Sequence, residues 1–314
     1  MPDSSGIPTS AGLAAKAWQL TLAFALLYVV WGSTYFAIRI AVRALPPFGL
    51  GGVRFVIAGG LPLIIMRLRG AAWPTPVQWR NAAISGGCLM LGGNGLVSWA
   101  EQTVSSSLAA LLIAVTPLWF VVLEALRPRG TRPSTRGLLG LGVGFCGVAL
   151  LIGPEGMRRD LGSPPVFGIA LLMLACASWA FGSLYARYAE KPASGFMSSA
   201  LQMLCGGAEL VLLSLLTAEP WHATGTPAQL TEAWLALVYL IVAGSWLGFS
   251  SYMWLLSRVS PVKLSTYAYV NPLVAVLLGV WFLDEPFSWG LLGPALLILL
   301  GVVIVQLPAA RRTP

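Results

Sequence analysis

Gly51-Gly52-Val53-Arg54-Phe55-Val56 returns 155 residues later as Gly206-Gly207-Ala208-Glu209-Leu210-Val211. At the same offset Trp99 meets Trp254, Val104-Ser105 meets Val259-Ser260, and Thr116-Pro117-Leu118 meets Asn271-Pro272-Leu273. Small differences in loop length change the offset elsewhere. Gly32-Ser33-Thr34-Tyr35 meets Gly182-Ser183-Leu184-Tyr185 at 150, and Gly137-Leu138-Leu139-Gly140 meets Gly290-Leu291-Leu292-Gly293 at 153. A single match means little in a chain rich in Gly and Leu. The collinear order across both halves establishes an internal repeat.

The solvent of this repeat is set by composition. Of 314 residues, 57% are hydrophobic and 10% charged, against about 45–50% and about 25% in an average soluble chain. Mean hydropathy is +0.80. So few charges cannot cover a water-facing surface, which excludes disorder, a coiled coil, a secreted disulfide scaffold and an ordinary soluble enzyme. Length is therefore divided by the bilayer, at roughly 20 residues per spanning helix. Apolar runs at 18–38, 47–66, 79–100, 105–126, 135–152, 166–185, 195–217, 233–255, 264–283 and 289–307 predict ten spans. They are too continuously apolar for barrel strands, and lipid requires each span to satisfy its own backbone, so they read as helices. The first run is too long for the core of a cleaved signal and ends in Tyr35-Phe36 rather than at small residues.

Each half holds five spans. Five is odd, so the second half enters the membrane upside down. The predicted class is an all-α polytopic membrane protein of ten transmembrane helices in two inverted five-helix repeats. Its parts are a segment 1–17, a first repeat 18–157, a second repeat 158–307 and a tail 308–314. Inverted repeats are the architecture of alternating-access carriers, with substrate near the midplane where the repeats meet. The net charge of +8 would suggest nucleic acid in a soluble chain, but the basic residues sit in the gaps between spans and no nucleic-acid partner is expected. Fourteen Lys and Arg fall on the side of the N-terminus: Lys16, Arg67, Arg69, Arg80, Arg127, Arg129, Arg132, Arg136, Arg187, Lys191, Arg258, Lys263, Arg311 and Arg312. Four, Arg39, Arg43, Arg158 and Arg159, fall on the other. This asymmetry places both termini in the cytoplasm.

Several of the repeat residues also carry a family resemblance. Trp31-Gly32-Ser33-Thr34-Tyr35-Phe36-Ala37-Ile38-Arg39 resembles the first-helix signature of EamA-type carriers of the drug/metabolite transporter superfamily. Pro46-Pro47 with Arg54-Phe55 is similar to that family's second helix, and Gly92-Gly93-Asn94-Gly95 with Ala100-Glu101-Gln102 to its third. Trp179 to Tyr185 and Tyr267 to Pro272 resemble the sixth and ninth. The resemblance covers about residues 18–307 and is nearest to the YddG-type amino-acid exporters. It implies an inner-membrane location and export of amino acids or related small metabolites. The family often has an acid after both its fourth and ninth helices. Asp284-Glu285 fits the second place, while the first holds Arg127-Pro128-Arg129, with Glu124 a turn earlier.

Chemistry-bearing residues are few. Gly142-Val143-Gly144-Phe145-Cys146-Gly147 spells a dinucleotide fingerprint but lies inside an apolar span with no preceding strand. Gly140 and Gly144 read instead as a close-packing face. Cys88, Cys146, Cys176 and Cys205 lie in apolar runs without paired spacing, and His222 stands alone. No metal or other cofactor is expected.

Arg54 and Glu209 are the charges well inside spans. Charge at that depth costs at least about 2.5–3.5 kcal/mol and should face protein or water. They read as a structural pair or helix-end anchors, or else as carboxylate-binding or gating groups. Pro117 and Pro272 are equivalent mid-span prolines, each freeing a carbonyl one turn earlier. They read as tolerated kinks, or else as hinges or as sources of an exposed carbonyl at the cavity. Trp18, Trp73, Trp79, Trp221 and Trp289 stand at run ends as interface anchors. Trp31 and Trp179 stand nearer mid-run, sharing faces with Tyr35 and Ser183 one turn on, and suit either packing or a cavity wall. Asn94, Thr116, Tyr267 and Asn271 bring neutral polar groups to depth.

The composite substrate site, Trp31, Tyr35, Asn94, Thr116, Trp179, Tyr267 and Asn271, suits a small zwitterion or an aromatic metabolite. A broad drug or sugar-conjugate exporter is the alternative carrier. A membrane-embedded transferase would need a polar catalytic cluster that the sequence does not offer.

Overall fold

The computed structural model describes residues 17–127, 130, 133–152, 166–221, 224–259, 264, 267–285 and 289–306. The segment before residue 17, the tail 308–314, His222, and Lys16, Arg129, Arg132, Arg158, Arg159, Lys263, Arg311 and Arg312 lie outside them.

In chain order the spans are α1 (Ala17–Ala41), α2 (Pro47–Leu68), α3 (76–100), α4 (Ser106–Leu126), α5 (Thr135–Ile152), α6 (Val166–Tyr188), α7 (Gly195–Leu216), α8 (Pro227–Leu256), α9 (Tyr267–Phe282) and α10 (Leu292–Gln306). The helices α1, α2, α4, α6, α7 and α8 are long and apolar enough to cross a membrane, and α5, α9 and α10 are shorter apolar helices. The remaining span, α3, opens on a turn carrying Gln78, Arg80 and Asn81 before its apolar stretch. The protein is an all-α polytopic membrane protein built from inverted repeats. Large apolar side chains on its outer faces, such as Leu126, Leu216 and Trp281, are exposed, as suits a bundle whose solvent is lipid.

Two spans start earlier than their hydropathy suggests, and for one reason. Thr75-Pro76-Val77-Gln78 opens α3 and Thr226-Pro227-Ala228-Gln229 opens α8, each as a capping box with Pro in the first turn. The polar cap keeps the first turns out of an apolar count, so 79 and 233 were the wrong starts. Both helices then widen into π-helix, at Gly87–Gly95 in α3 and Leu240–Phe249 in α8, before resuming α geometry. Cap, α-helix, π-helix and α-helix thus recur in the same order in both halves.

The packing obeys the same exchange. The helix α2 packs on α7 and α5 on α10; α1 packs on α9 and α8, as α6 packs on α4 and α3. Swapping the halves converts each contact into itself or into another on this list. Glycines permit the closest crossings: Gly140 and Gly144 lie against Gly301 of α10, the close-packing face expected there.

Two carboxylates fasten helix starts. Glu219 accepts from Phe48 N (3.1 Å), Gly49 N (2.9 Å) and Ser214 Oγ (2.6 Å), capping α2. Glu285 accepts from the backbone N and hydroxyl of both Ser106 and Ser107 at 2.5–3.1 Å, capping α4. Each supplies negative charge to orphan N–H groups at the positive end of a helix. In the first half Glu124 does something else and pairs with Arg127 at 2.6 Å.

Candidate functional site

A cavity lies where the halves meet. The first half lines it from α1, α2, α3 and α4, the second from α6, α8 and α9. Trp31, Tyr35, Asn94, Thr116, Trp179 and Tyr267 all face it. Trp31 sits at the centre of the aromatic wall, 5.4 Å from Trp179 and 5.5 Å from Tyr267 edge-on, and 5.0 Å from Tyr252. Its indole donates to Gly244 O at 3.2 Å, and the Trp179 indole donates to Tyr252 Oη at 3.2 Å. Both tryptophans are therefore fixed by hydrogen bonds as well as by ring contacts.

The π stretches make room for these rings. A Cβ added at Gly93 would come within 2.7 Å of the Trp179 ring, and one at Gly244 within 2.9 Å of Arg54 Nη2. Each π stretch also turns a polar side chain back on its own backbone: Asn94 Nδ2 donates to Leu89 O and Ser245 Oγ to Leu240 O, both at 3.1 Å and both to residue i−5. π-Helical turns are rare and gather at functional sites. Here they occupy equivalent helices and both border the cavity.

Three expectations need correction. Asn271 does not line the cavity. It is buried, and its amide nitrogen, turned toward acceptors, reaches Tyr28 O (3.1 Å) and Tyr267 O (3.2 Å), clamping α9 to α1. Arg54 and Glu209 do not pair. Arg54 lines the cavity and donates from Nε to Ser245 Oγ at 2.9 Å. Glu209 is half-buried and lies against Gly87 of α3. Equivalent places in inverted repeats lie on opposite sides of the pseudo-twofold, so equivalence in sequence does not bring them together. Finally, Pro117 is not mid-helix. Turns at Ala114 and Val115 divide α4, and Pro117 stands in the first turn of the piece Thr116–Leu126. The Ile113 carbonyl, for which Pro117 has no N–H, accepts from Thr116 Oγ1 at 2.7 Å. Pro272 does lie inside α9.

Sequence reasoning missed Tyr252, Phe249, Gly244 and Ser245. Tyr252 is fully buried and also shares a 2.7 Å hydrogen bond with Ser183. The signal for α8 was available: Gly244-Ser245 occupies the place in its half that Gly93-Asn94 occupies in the first.

Among the described residues, ten helices in two exchanged sets of five line a cavity between them, the architecture of a membrane carrier. The chain belongs to the EamA-like transporter family, whose model matches twice, at residues 19–153 and 166–307. It is 38% identical over 285 residues to the inner membrane transporter YedA of Escherichia coli (strain K12), covering 90% of this chain and 88% of that one. It is 28% identical over 302 residues to a probable terminal-alkyne amino-acid exporter of Streptantibioticus cattleyicolor, covering 96% and 95%. A solved protein crystal structure shares the fold with a TM-score of 0.63 at 22% identity, covering 92% of this chain and 97% of that one.

Proposed function

We propose that this transporter exports amino acids, aromatic ones among them, or related small metabolites across the inner membrane by alternating access. The observation that carries the reading is the aromatic-walled cavity between the halves. Its mostly apolar, aromatic lining with a few polar groups suits a small organic molecule. Trp31, Trp179, Tyr35 and Tyr267 offer ring faces for an aromatic or apolar body, and Asn94 and Thr116 offer neutral polar groups. The S. cattleyicolor relative, named as an amino-acid exporter, supports the class.

The two halves, 18–157 and 158–307, would rock against each other around this site. The break before Pro117 and the proline inside α9, Pro272, would supply places to bend. Both termini would face the cytoplasm, as the basic residues direct. The test is uptake of labelled phenylalanine and leucine into liposomes carrying the purified protein. Saturable uptake of either supports the reading, and uptake no greater than in protein-free liposomes for both contradicts it. A C-terminal reporter active only in the cytoplasm checks the orientation, and should be active.

A further inference from the structure

Arg54 is 4% exposed and is the charged side chain among those lining the cavity. Its setting is built. Nε is held by Ser245 Oγ, and that hydroxyl in turn donates to Leu240 O, so both groups have fixed directions. The guanidinium carbon lies 4.5 Å from the centre of the Phe55 ring. Across from it, Gly244 lacks the Cβ that would crowd Nη2. Among the described residues no acid forms an ion pair with Arg54, and the hydrogen bond to Ser245 is the one its side chain makes. The guanidinium fork thus has donors free for a planar, bidentate acceptor. A buried cation without a counterion is costly and favours an anion as its partner.

We infer that Arg54 anchors a substrate carboxylate, and that the site requires this carboxylate and not an amino group. The inference rests on the proposed transport reading and names the substrate class more narrowly: a small organic carboxylate with an aromatic or apolar body. An amino acid qualifies through its carboxylate. Among the described residues its ammonium meets no acid in the cavity lining, which offers ring faces and neutral hydroxyl and amide groups.

Three probes of one shape separate the groups: phenylalanine, 3-phenylpropionate, which lacks the amine, and phenylalaninamide, which lacks the carboxylate. Binding to the detergent-purified protein is read by intrinsic fluorescence, since Trp31 and Trp179 line the cavity. Transport is read separately in liposomes. Phenylalanine and 3-phenylpropionate should bind within about threefold of each other, and phenylalaninamide about a hundredfold more weakly, because it leaves the cation unpaired. Arg54→Gln should lose the preference for carboxylate, and Arg54→Lys should keep part of it. Size-exclusion profiles identify a variant that misfolds, and the probe series on the unmodified protein stands without any variant. Amide binding as strong as acid binding, or no binding of either carboxylate, overturns the inference. Carboxylate binding without transport overturns the export reading and leaves the anchor standing.

Discussion

Arg54 in α2 and Glu209 in α7 stand at equivalent places in the two repeats and meet opposite surroundings. The arginine points between the halves, into the cavity, with its Nε held by Ser245. The glutamate is half-buried beside Gly87, away from the cavity lining. The backbone obeys the repeat closely, down to paired capping boxes and paired π stretches. The charge does not. The frame is symmetric, while one cation placed off the symmetry gives the cavity a sign.

Neutralising each charge in turn should have the largest effect. Arg54→Gln should lower transport of a carboxylate substrate about a hundredfold, since the partner of the buried anion is lost. Glu209→Gln should change it less than about threefold. Because the two do not touch, their effects on thermal stability should add to within about 0.5 kcal/mol in a double-mutant cycle. Recovery in the double variant would mean that they pair in some other state of the cycle.

Next in size is the aromatic wall. Trp179→Ala removes ring contacts to Trp31, Phe249 and Tyr252 and leaves the Tyr252 hydroxyl one partner short. Stacking and desolvated ring contacts are worth about 0.5–1.5 kcal/mol each, so affinity for an aromatic substrate should fall about tenfold. An aliphatic substrate should lose less. Equal transport of both by the variant and the unmodified protein would reduce Trp179 to packing.

The paired π stretches predict a smaller, positional effect. Ser245→Ala removes the group that orients Arg54, a hydrogen bond worth about 0.5–1.5 kcal/mol. The KM for a carboxylate should rise about threefold with kcat little changed, and Ser245→Thr should restore it. Asn94, the counterpart of Ser245 on α3, holds no charge, so Asn94→Ala should weaken acid and amide probes alike.

The smallest effect concerns Glu101, just beyond the end of α3. It is fully buried, and neither carboxyl oxygen has a hydrogen-bond partner among the described residues. Burial holds its carboxyl well above the usual carboxylate range, against the pull of Arg39 and with a further push from Glu285. Stability from such a group is full below its unfolded-state value and is lost as pH rises through the folded one. The melting temperature in detergent should therefore fall with rising pH across this range, and Glu101→Gln should flatten the fall. An unchanged pH profile in the variant would show that Glu101 is hydrated in solution.

The ten helices, the repeat and six of the seven residues expected at the cavity were legible because they depend on composition, period and local spacing. Helix starts at Pro76 and Pro227 were hidden from hydropathy by polar caps, though the shared Thr-Pro-x-Gln pattern marked them. The setting of Asn271 was not legible, since its partner Tyr28 lies 243 residues away and offers only a backbone carbonyl. Nor was the separation of Arg54 from Glu209, because offset fixes equivalence and not distance. Ser245 was passed over as one serine in an apolar run; only the packing of α2 on α8 brings it to Arg54.

Equilibrium binding of 3-phenylpropionate to the unmodified protein, Arg54→Gln and Glu209→Gln, measured by tryptophan fluorescence under one condition, shows whether the off-symmetry cation alone holds the carboxylate. Glu209→Gln should bind like the unmodified protein, and Arg54→Gln about a hundredfold more weakly. Equal affinities in all three, or equal losses in both variants, would contradict it.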